Sequence, residues 1–113
     1  MNLTQKERNN ILRLLEQPHH VNCIRLHGST STLHRKRVAE ICLQAIERKI
    51  DFVTESKFKG GLGRPDIVLL DLGICVEVVS SESKESIEMK REKYPLRLVT
   101  SHIRTPFIWK QLL

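Results

Sequence analysis

The chain of 113 residues is long enough for one compact domain and too short for a two-domain enzyme or a long repeat array. Apolar residues make up 40% of it, which excludes disorder caused by a lack of core residues. Nineteen Lys and Arg against thirteen Asp and Glu give a formal net charge of +6, a balance that suits a polyanionic partner such as nucleic acid.

The cysteines and the N-terminus both predict an intracellular protein. The three cysteines, Cys23, Cys42 and Cys75, are odd in number and widely spaced, which favours a reducing compartment over a disulfide framework. The first residues, MNLTQKERNN, lack the apolar region of a signal peptide, and no stretch approaches the length of a membrane span. We therefore expect a soluble, cytoplasmic protein with no membrane contact.

The first predicted element is a helix over residues 4–17. Thr4 and Glu7 have the spacing of a capping box, in which each side chain accepts a hydrogen bond from the other residue's backbone N–H. Pro18 ends the helix because proline cannot continue the helical hydrogen bonds. Residues 21–26 are ambiguous between a strand and a helical turn.

A second helix is predicted over residues 33–49, after a Gly-Ser-Thr turn cluster at residues 28–32 that can cap it. Five residues fall on one face at helical spacing, and this face is expected to pack on the core. They are Val38, Ile41, Cys42, Ala45 and Lys49.

From residue 51 the period changes to that of β-strands. Strands are predicted over 51–56, 66–70, 74–79 and 96–100, with a tight hairpin between the second and third. The middle two strands are almost continuous in Ile, Val and Leu, so both of their faces are expected to be covered. A charged helix over 81–94 precedes the last strand, and such a crossover is right-handed and makes the last strand parallel to the third. The sequence thus predicts an α/β domain.

Two acidic residues stand out in the predicted hairpin. Asp66 begins one strand and Glu77 lies in the middle of its partner, where alternation allows both to point to a common face. An ionised carboxylate among Ile, Val and Cys is costly unless it is paired or bound to a metal. The pair therefore predicts a site for Mg²⁺ or Mn²⁺, which could activate a water for attack on a phosphate.

Basic residues near these acids are the candidates for phosphate contacts. Lys57, Lys59 and Arg64 flank the pair around a glycine-rich loop, and Arg35 and Arg37 lie in the first turns of the second helix. Aromatic residues are only 4% of the chain, which disfavours a base-stacking platform and favours duplex or branched DNA. The five histidines show no metal-ligand spacing and are expected to be structural or exposed.

Residues 33–100 resemble the PD-(D/E)XK nuclease superfamily, and in particular its small archaeal Holliday-junction-resolvase-like and viral branch. The resemblance rests on Arg64-Pro65-Asp66 as the "PD" element, on Glu77 as the second acid, and on the element order. It implies a restriction-endonuclease-like αβββαβ core with a mixed four-stranded sheet flanked by helices. Asp66 and Glu77 would be metal ligands, and Glu40 stands where members often add a glutamate from the first core helix. The whole chain, 1–113, would be one nuclease-like domain, with an N-terminal helix and linker over 1–30 and a tail over 101–113.

The sequence departs from the family pattern at one position. The pattern ends in Glu-X-Lys, and its lysine orients the water and stabilises charge at the phosphate, whereas this chain has Val79 there. Lys84, near the start of the following helix, is the expected catalytic substitute, and Lys57 and Lys59 are the other options.

Two alternatives to a metal-dependent endonuclease follow from the same residues. A nuclease fold without a motif lysine could be an inactive DNA-binding or dimerisation module. A third reading makes the first two helices a helix-turn-helix of a transcriptional regulator, which the long connection between them disfavours. The apolar tail, Phe107 to Leu113, is expected to cover either the core or a partner subunit of a homodimer.

Overall fold

Four strands form one mixed sheet in the computed structural model, which describes residues 2–112. The described elements, in chain order, are α1 (Gln5–Arg13), α2 (Thr32–Glu47), β1 (Phe52–Thr54), β2 (Ile67–Leu69), β3 (Ile74–Val79), α3 (Lys84–Lys93) and β4 (Arg97–His102). Short 3₁₀ turns lie at Lys59–Gly61 and Trp109–Leu112. The predicted α/β class is confirmed.

The strands lie in the order β1-β2-β3-β4, so sequence neighbours are also spatial neighbours. The β1–β2 and β2–β3 pairs are antiparallel, and the β3–β4 pair is parallel, as predicted for a strand that follows a crossover helix. β1 is shorter than the predicted 51–56 because Glu55 adopts a positive φ of 55°, which takes the backbone out of the extended region.

α2 covers one face of the sheet with the predicted apolar stripe. Val38, Ile41, Cys42 and Ala45 are all buried and pack against Phe52, Ile67, Leu69, Val76 and Val78 of the sheet. The prediction that Lys49 shares this face is wrong. α2 is capped at Arg48, and Lys49 turns outward with a positive φ of 58°.

α1 packs on the opposite face of the sheet and begins with the predicted capping box. Thr4 Oγ1 accepts from the Glu7 N–H at 3.2 Å, and the Glu7 carboxylate accepts from the Thr4 N–H at 3.0 Å. The helix ends at Arg13 rather than at residue 17, because Leu14 caps it and Leu15 turns into the core and bridges to Phe58.

The ambiguous residues 21–26 form neither a helix nor a strand. They follow the outer edge of β1, where the Asn22 N–H donates to the Phe52 carbonyl at 2.7 Å and the Arg25 N–H donates to Thr54 Oγ1 at 2.9 Å. An irregular segment therefore satisfies polar groups at this edge without extending the sheet.

The last elements differ from the predicted boundaries by a few residues. Ser83 caps α3, so the helix begins at Lys84 and not at residue 81. β4 continues to His102, which places residues 101 and 102 in the sheet and not in the tail. In the tail, Phe107, Trp109 and Leu112 are buried in the cluster beneath α2, while Leu113 lies outside the described residues.

Cys23, Cys42 and Cys75 are all free thiols. Cys42 and Cys75 are buried free thiols, and burial raises the pKa of each to about 12, so both remain protonated. Cys23 is exposed and also free.

Across residues 2–112, none of the helices has both the length and the apolar character that crossing a membrane requires.

Candidate functional site

The structure brings Asp66 and Glu77 to facing positions at one end of the β2–β3 hairpin. The register pairs Ile67 with Val76, so the next residues outward, Asp66 and Glu77, lie opposite each other. The two chains are also tied at this point, because the Val78 N–H donates to Asp66 Oδ2 at 2.7 Å. The hairpin thus brings the two acids, Asp66 and Glu77, into one small region.

Glu77 is a buried carboxylate, 7% exposed, on the face of β3 opposite α2, where Lys90 of α3 reaches it. Burial raises the pKa of Glu77, and the negative charge of Asp66 raises it further. Two donors from α3 and its end oppose this effect. The Tyr94 hydroxyl donates to Oε1 at 2.9 Å, and Lys90 Nζ lies 3.5 Å from Oε2.

Tyr94 is itself held in place by the loop that precedes β2. Its ring lies 5.1 Å from that of Phe58, centroid to centroid, and a Cβ added to Gly63 would come within 2.7 Å of the ring. Burial and then the charge of Glu77 raise the pKa of Tyr94, so its hydroxyl remains a proton donor to the carboxylate.

Asp66 is contacted from the other helix. His34, in the first turn of α2, places Nε2 at 3.2 Å from Asp66 Oδ2, and its side chain is 19% exposed. The expectation that the histidines are structural or exposed gave His34 no part in the site. One signal was present in the sequence, since His34 lies four residues before Val38 and so extends the buried stripe of α2 to the end of the sheet.

The described amine nearest to Glu77 comes from Lys90, which the sequence analysis did not single out. Ile87, Lys90 and Tyr94 share one helical face at spacings of three and four, and Ile87 is the branched aliphatic residue of that helix, so the signal existed. Lys84 lies about 120° from Lys90 around a helix of 3.6 residues per turn, and it is exposed.

Glu40 does not join the acids in the described structure. Its side chain is 47% exposed on the outer face of α2, where it lies 3.8 Å from Arg37. Arg37 turns toward the sheet and the tail, and it donates to Ser101 Oγ at 3.1 Å, to the His102 carbonyl at 2.8 Å and to the Thr105 carbonyl. Arg37 therefore ties α2 to the end of β4.

Arg35 also bonds within its own region of the chain. It donates to the carbonyls of Gly28 and Thr30 in the turn before α2, and to the hydroxyl of Thr32. Both arginines proposed as DNA contacts in this helix thus already have intramolecular acceptors.

The glycine-rich loop presents its basic residues around a cavity of about 430 Å³. Lys57, Lys59 and Arg64 are all exposed, and Arg64 lies 3.2 Å from Glu55. The cavity walls include Glu16 as well as Lys57 and Arg64, so its charges are mixed.

Asp66 and Glu77 supply carboxylate oxygens, the ligand type that divalent cations such as Mg²⁺ prefer. Within residues 2–112, no three His, Cys, Asp or Glu side chains converge as a complete metal site. Mg²⁺, however, is commonly bound through one or two carboxylates with water in the remaining positions. The charge of Asp66 that raises the pKa of Glu77 is also a repulsion that a cation between the carboxylates would remove.

Comparison with models of known families, with curated proteins and with solved structures finds no match to this chain. Function must therefore be inferred from the side chains at the site. These are two facing carboxylates, His34 on the Asp66 side, and Lys90 with Tyr94 on the Glu77 side.

Proposed function

We propose that this chain is a restriction-endonuclease-like domain that hydrolyses phosphodiester bonds of duplex or branched DNA with Mg²⁺ or Mn²⁺. The observation on which this depends is the facing of Asp66 and Glu77, with Glu77 buried and its pKa raised partly by Asp66. The order α2-β1-β2-β3-α3-β4, with β4 parallel to β3, supports the proposed αβββαβ core. A buried carboxylate with a raised pKa, such as Glu77, is typical of functional sites.

Asp66 and Glu77 are the residues that would hold the cation. When bound, the cation would polarise the phosphate and lower the pKa of a water molecule. Asp66 is fixed by the Val78 N–H and Glu77 by the Tyr94 hydroxyl, so both carboxylates are oriented before substrate arrives. Glu77 also accepts a hydrogen bond from the attacking water in this proposal.

Lys90 is the amine that we propose for the role expected of Lys84. Its Nζ is 3.5 Å from Glu77, and its side chain is 38% exposed, so the ammonium can exchange the carboxylate for a phosphate oxygen. A cation in that position stabilises the negative charge that develops during attack on phosphorus. Val79 cannot do this, although it lies two residues beyond Glu77 on the same face of β3.

The net positive charge of the chain would attract DNA. Lys57, Lys59 and Arg64 are the exposed candidates at the glycine-rich loop, and their contacts would be independent of sequence and sensitive to salt. Pairing of two copies, the commonest form of oligomer, would place two such sites on one duplex.

A DNA-binding module without turnover is the second candidate. The observation that favours it is the occupation of both Glu77 oxygens, one by the Tyr94 hydroxyl and one by the Lys90 ammonium. If these contacts persist with DNA bound, Glu77 would serve as a structural anchor for α3, with both of its oxygens engaged within the chain.

A cleavage assay with isosteric variants separates the two candidates. Supercoiled plasmid and a four-way junction are incubated with Mn²⁺, with Mg²⁺ or with EDTA. We expect metal-dependent nicking that falls about 100-fold or more in Asp66→Asn and in Glu77→Gln, because each variant removes a carboxylate ligand of the proposed cation. Glu40→Gln is the matched control and should cleave like the wild type. DNA binding without any nicking would contradict the enzymatic proposal.

Lys90→Met and Lys84→Met test the assignment of the amine within one helix. We expect Lys90→Met to lower the cleavage rate and Lys84→Met to leave it near the wild-type value. The double variant Val79→Lys, Lys90→Met places an amine on the Glu77 face of β3 and should recover part of the rate. Equal losses in the two single variants would contradict a specific role for Lys90.

A further inference from the structure

A cationic cavity, separate from the one at the glycine-rich loop, lies at the outer edge of β4. β4 is an edge strand of the sheet and pairs only with β3. The cavity beside β4 has a volume of about 210 Å³. Its lining residues come from α3, β4 and the C-terminal turn. They are Arg91, Arg97, Leu98, Val99, Thr100 and Gln111.

The charge of this lining has one sign. Two of the six residues are arginines and none is acidic, whereas the cavity at the glycine-rich loop includes Glu16. Thr100 adds a hydroxyl, and an arginine fork matches the geometry of phosphate oxygens. This cavity is therefore better suited to a phosphate than the loop that the sequence indicated.

Both guanidinium groups are anchored by backbone carbonyls. Arg91 Nη1 donates to the Leu98 carbonyl at 2.6 Å, and Arg97 Nη2 donates to the Gln111 carbonyl at 3.1 Å. Arg91 also lies 3.3 Å from Glu88 on the outer face of α3. Each guanidinium has five N–H donors, so donors remain for a ligand after these contacts. Anchoring reduces the side-chain entropy that would be lost on binding.

The cavity is also close to the acid pair in the sheet. In the β3–β4 register Thr100 lies opposite Glu77, and Arg91 follows Lys90 directly in α3. Neighbouring strands are about 4.8 Å apart, and phosphates of one DNA strand advance about 3.4 Å along the duplex axis. A phosphate in the cavity would therefore lie within a few nucleotides of one at Glu77.

We propose that Arg91, Arg97 and Thr100 form a subsite that binds a backbone phosphate of DNA beside the acid pair. The identity of the ligand as DNA rests on the proposed function, while the phosphate chemistry rests on the cavity alone. The subsite would position the strand, independently of base sequence, so that a neighbouring phosphate meets Asp66 and Glu77.

Salt-dependent DNA binding tests the subsite without requiring cleavage. Binding of a fluorescein-labelled duplex is measured in EDTA by anisotropy at several salt concentrations. We expect Arg91→Ala and Arg97→Ala each to weaken binding and to reduce the slope of log K against log salt by about 1. Arg13→Ala, which removes an exposed arginine of α1, is the control for net charge and should leave the slope unchanged. Wild-type slopes in both cavity variants, or an equal loss in Arg13→Ala, would overturn the proposal.

A titration with inorganic phosphate, followed by amide chemical shifts, tests the cavity directly. We expect shifts concentrated at Leu98, Val99 and Thr100, and their loss in Arg97→Lys, which keeps the charge but removes the fork. Shifts confined to residues 57–64, or none, would overturn the subsite. A chain that shows these shifts and binds DNA through both arginines but never nicks it would retain the subsite and contradict the enzymatic proposal.

Discussion

β3 is buried on both faces of the sheet, but the side chains on its two faces differ chemically. On the α2 face, β3 presents Val76 and Val78 to an entirely apolar stripe. On the other face, β3 presents Cys75 and Glu77, and the second of these is a carboxylate in contact with a tyrosine and a lysine. One face can be explained by packing alone, whereas the other includes a group that packing disfavours.

The α2 face is therefore explained by folding, whereas the carboxylate of Glu77 needs a functional explanation. A buried carboxylate is costly unless donors satisfy it, and here Tyr94 and Lys90 offset part of that cost. A valine at position 77 would incur no such cost. The presence of a carboxylate at this point in the strand is the physical reason that we propose the site on the face of β3 opposite α2.

The largest expected effect on stability is on the apolar face. Ile41→Ala removes a side chain that is fully buried beneath α2, and we expect it to lower the free energy of unfolding by about 2–5 kcal/mol. Leu43→Ala is the matched control, because Leu43 is 54% exposed on the same helix, and its effect should stay within about 0.5 kcal/mol. Urea denaturation measures both. Similar losses would contradict the assignment of the buried face.

The fold could be predicted largely because periodicity reports which face is buried. The stripe of α2, the capping box of Thr4 and the hairpin at residues 71–73 all follow from local spacing and turn chemistry. Strand and helix ends were less predictable. They depend on single backbone conformations, such as the positive φ of Lys49 and Glu55, which no residue type there requires.

The candidate site could be predicted only in part. Asp66 and Glu77 were identifiable because acids in an apolar strand are exceptional. His34, Lys90 and Tyr94 are ordinary in their local sequence, and their importance arises from contacts across 13 to 32 residues. The arginine cavity unites three separate segments, so composition predicted its charge but not its location.

A smaller effect is expected where the loop packs on the polar face. Gly63 has a φ of 126°, and an added Cβ would meet the Tyr94 ring at 2.7 Å, so Gly63→Ala should lower the free energy of unfolding by about 1–3 kcal/mol. It should also displace the Tyr94 hydroxyl and thereby weaken the hydrogen bond that this hydroxyl donates to Glu77. Gly28→Ala is the control, because nothing lies within 4 Å of its added Cβ, and it should change stability by less than about 1 kcal/mol. Thermal unfolding of both variants decides the matter, and equal midpoints would contradict the close approach.

The smallest expected effect is a pH dependence that distinguishes the two faces. Because burial and then Asp66 raise the pKa of Glu77 above its ordinary value of 4.5, the native chain binds more protons than the unfolded chain between these two values. The associated stability is complete below the ordinary value and is lost as pH rises through the raised one. Glu77→Gln cannot ionise, so its stability relative to the wild type should increase as the pH is raised from below 4.5 toward neutrality. Asp66→Asn removes one cause of the raised pKa, so Glu77→Gln should show a smaller increase in that background. Urea denaturation across this range measures the difference, and a constant difference would show that Glu77 ionises as freely in the native chain as in the unfolded one.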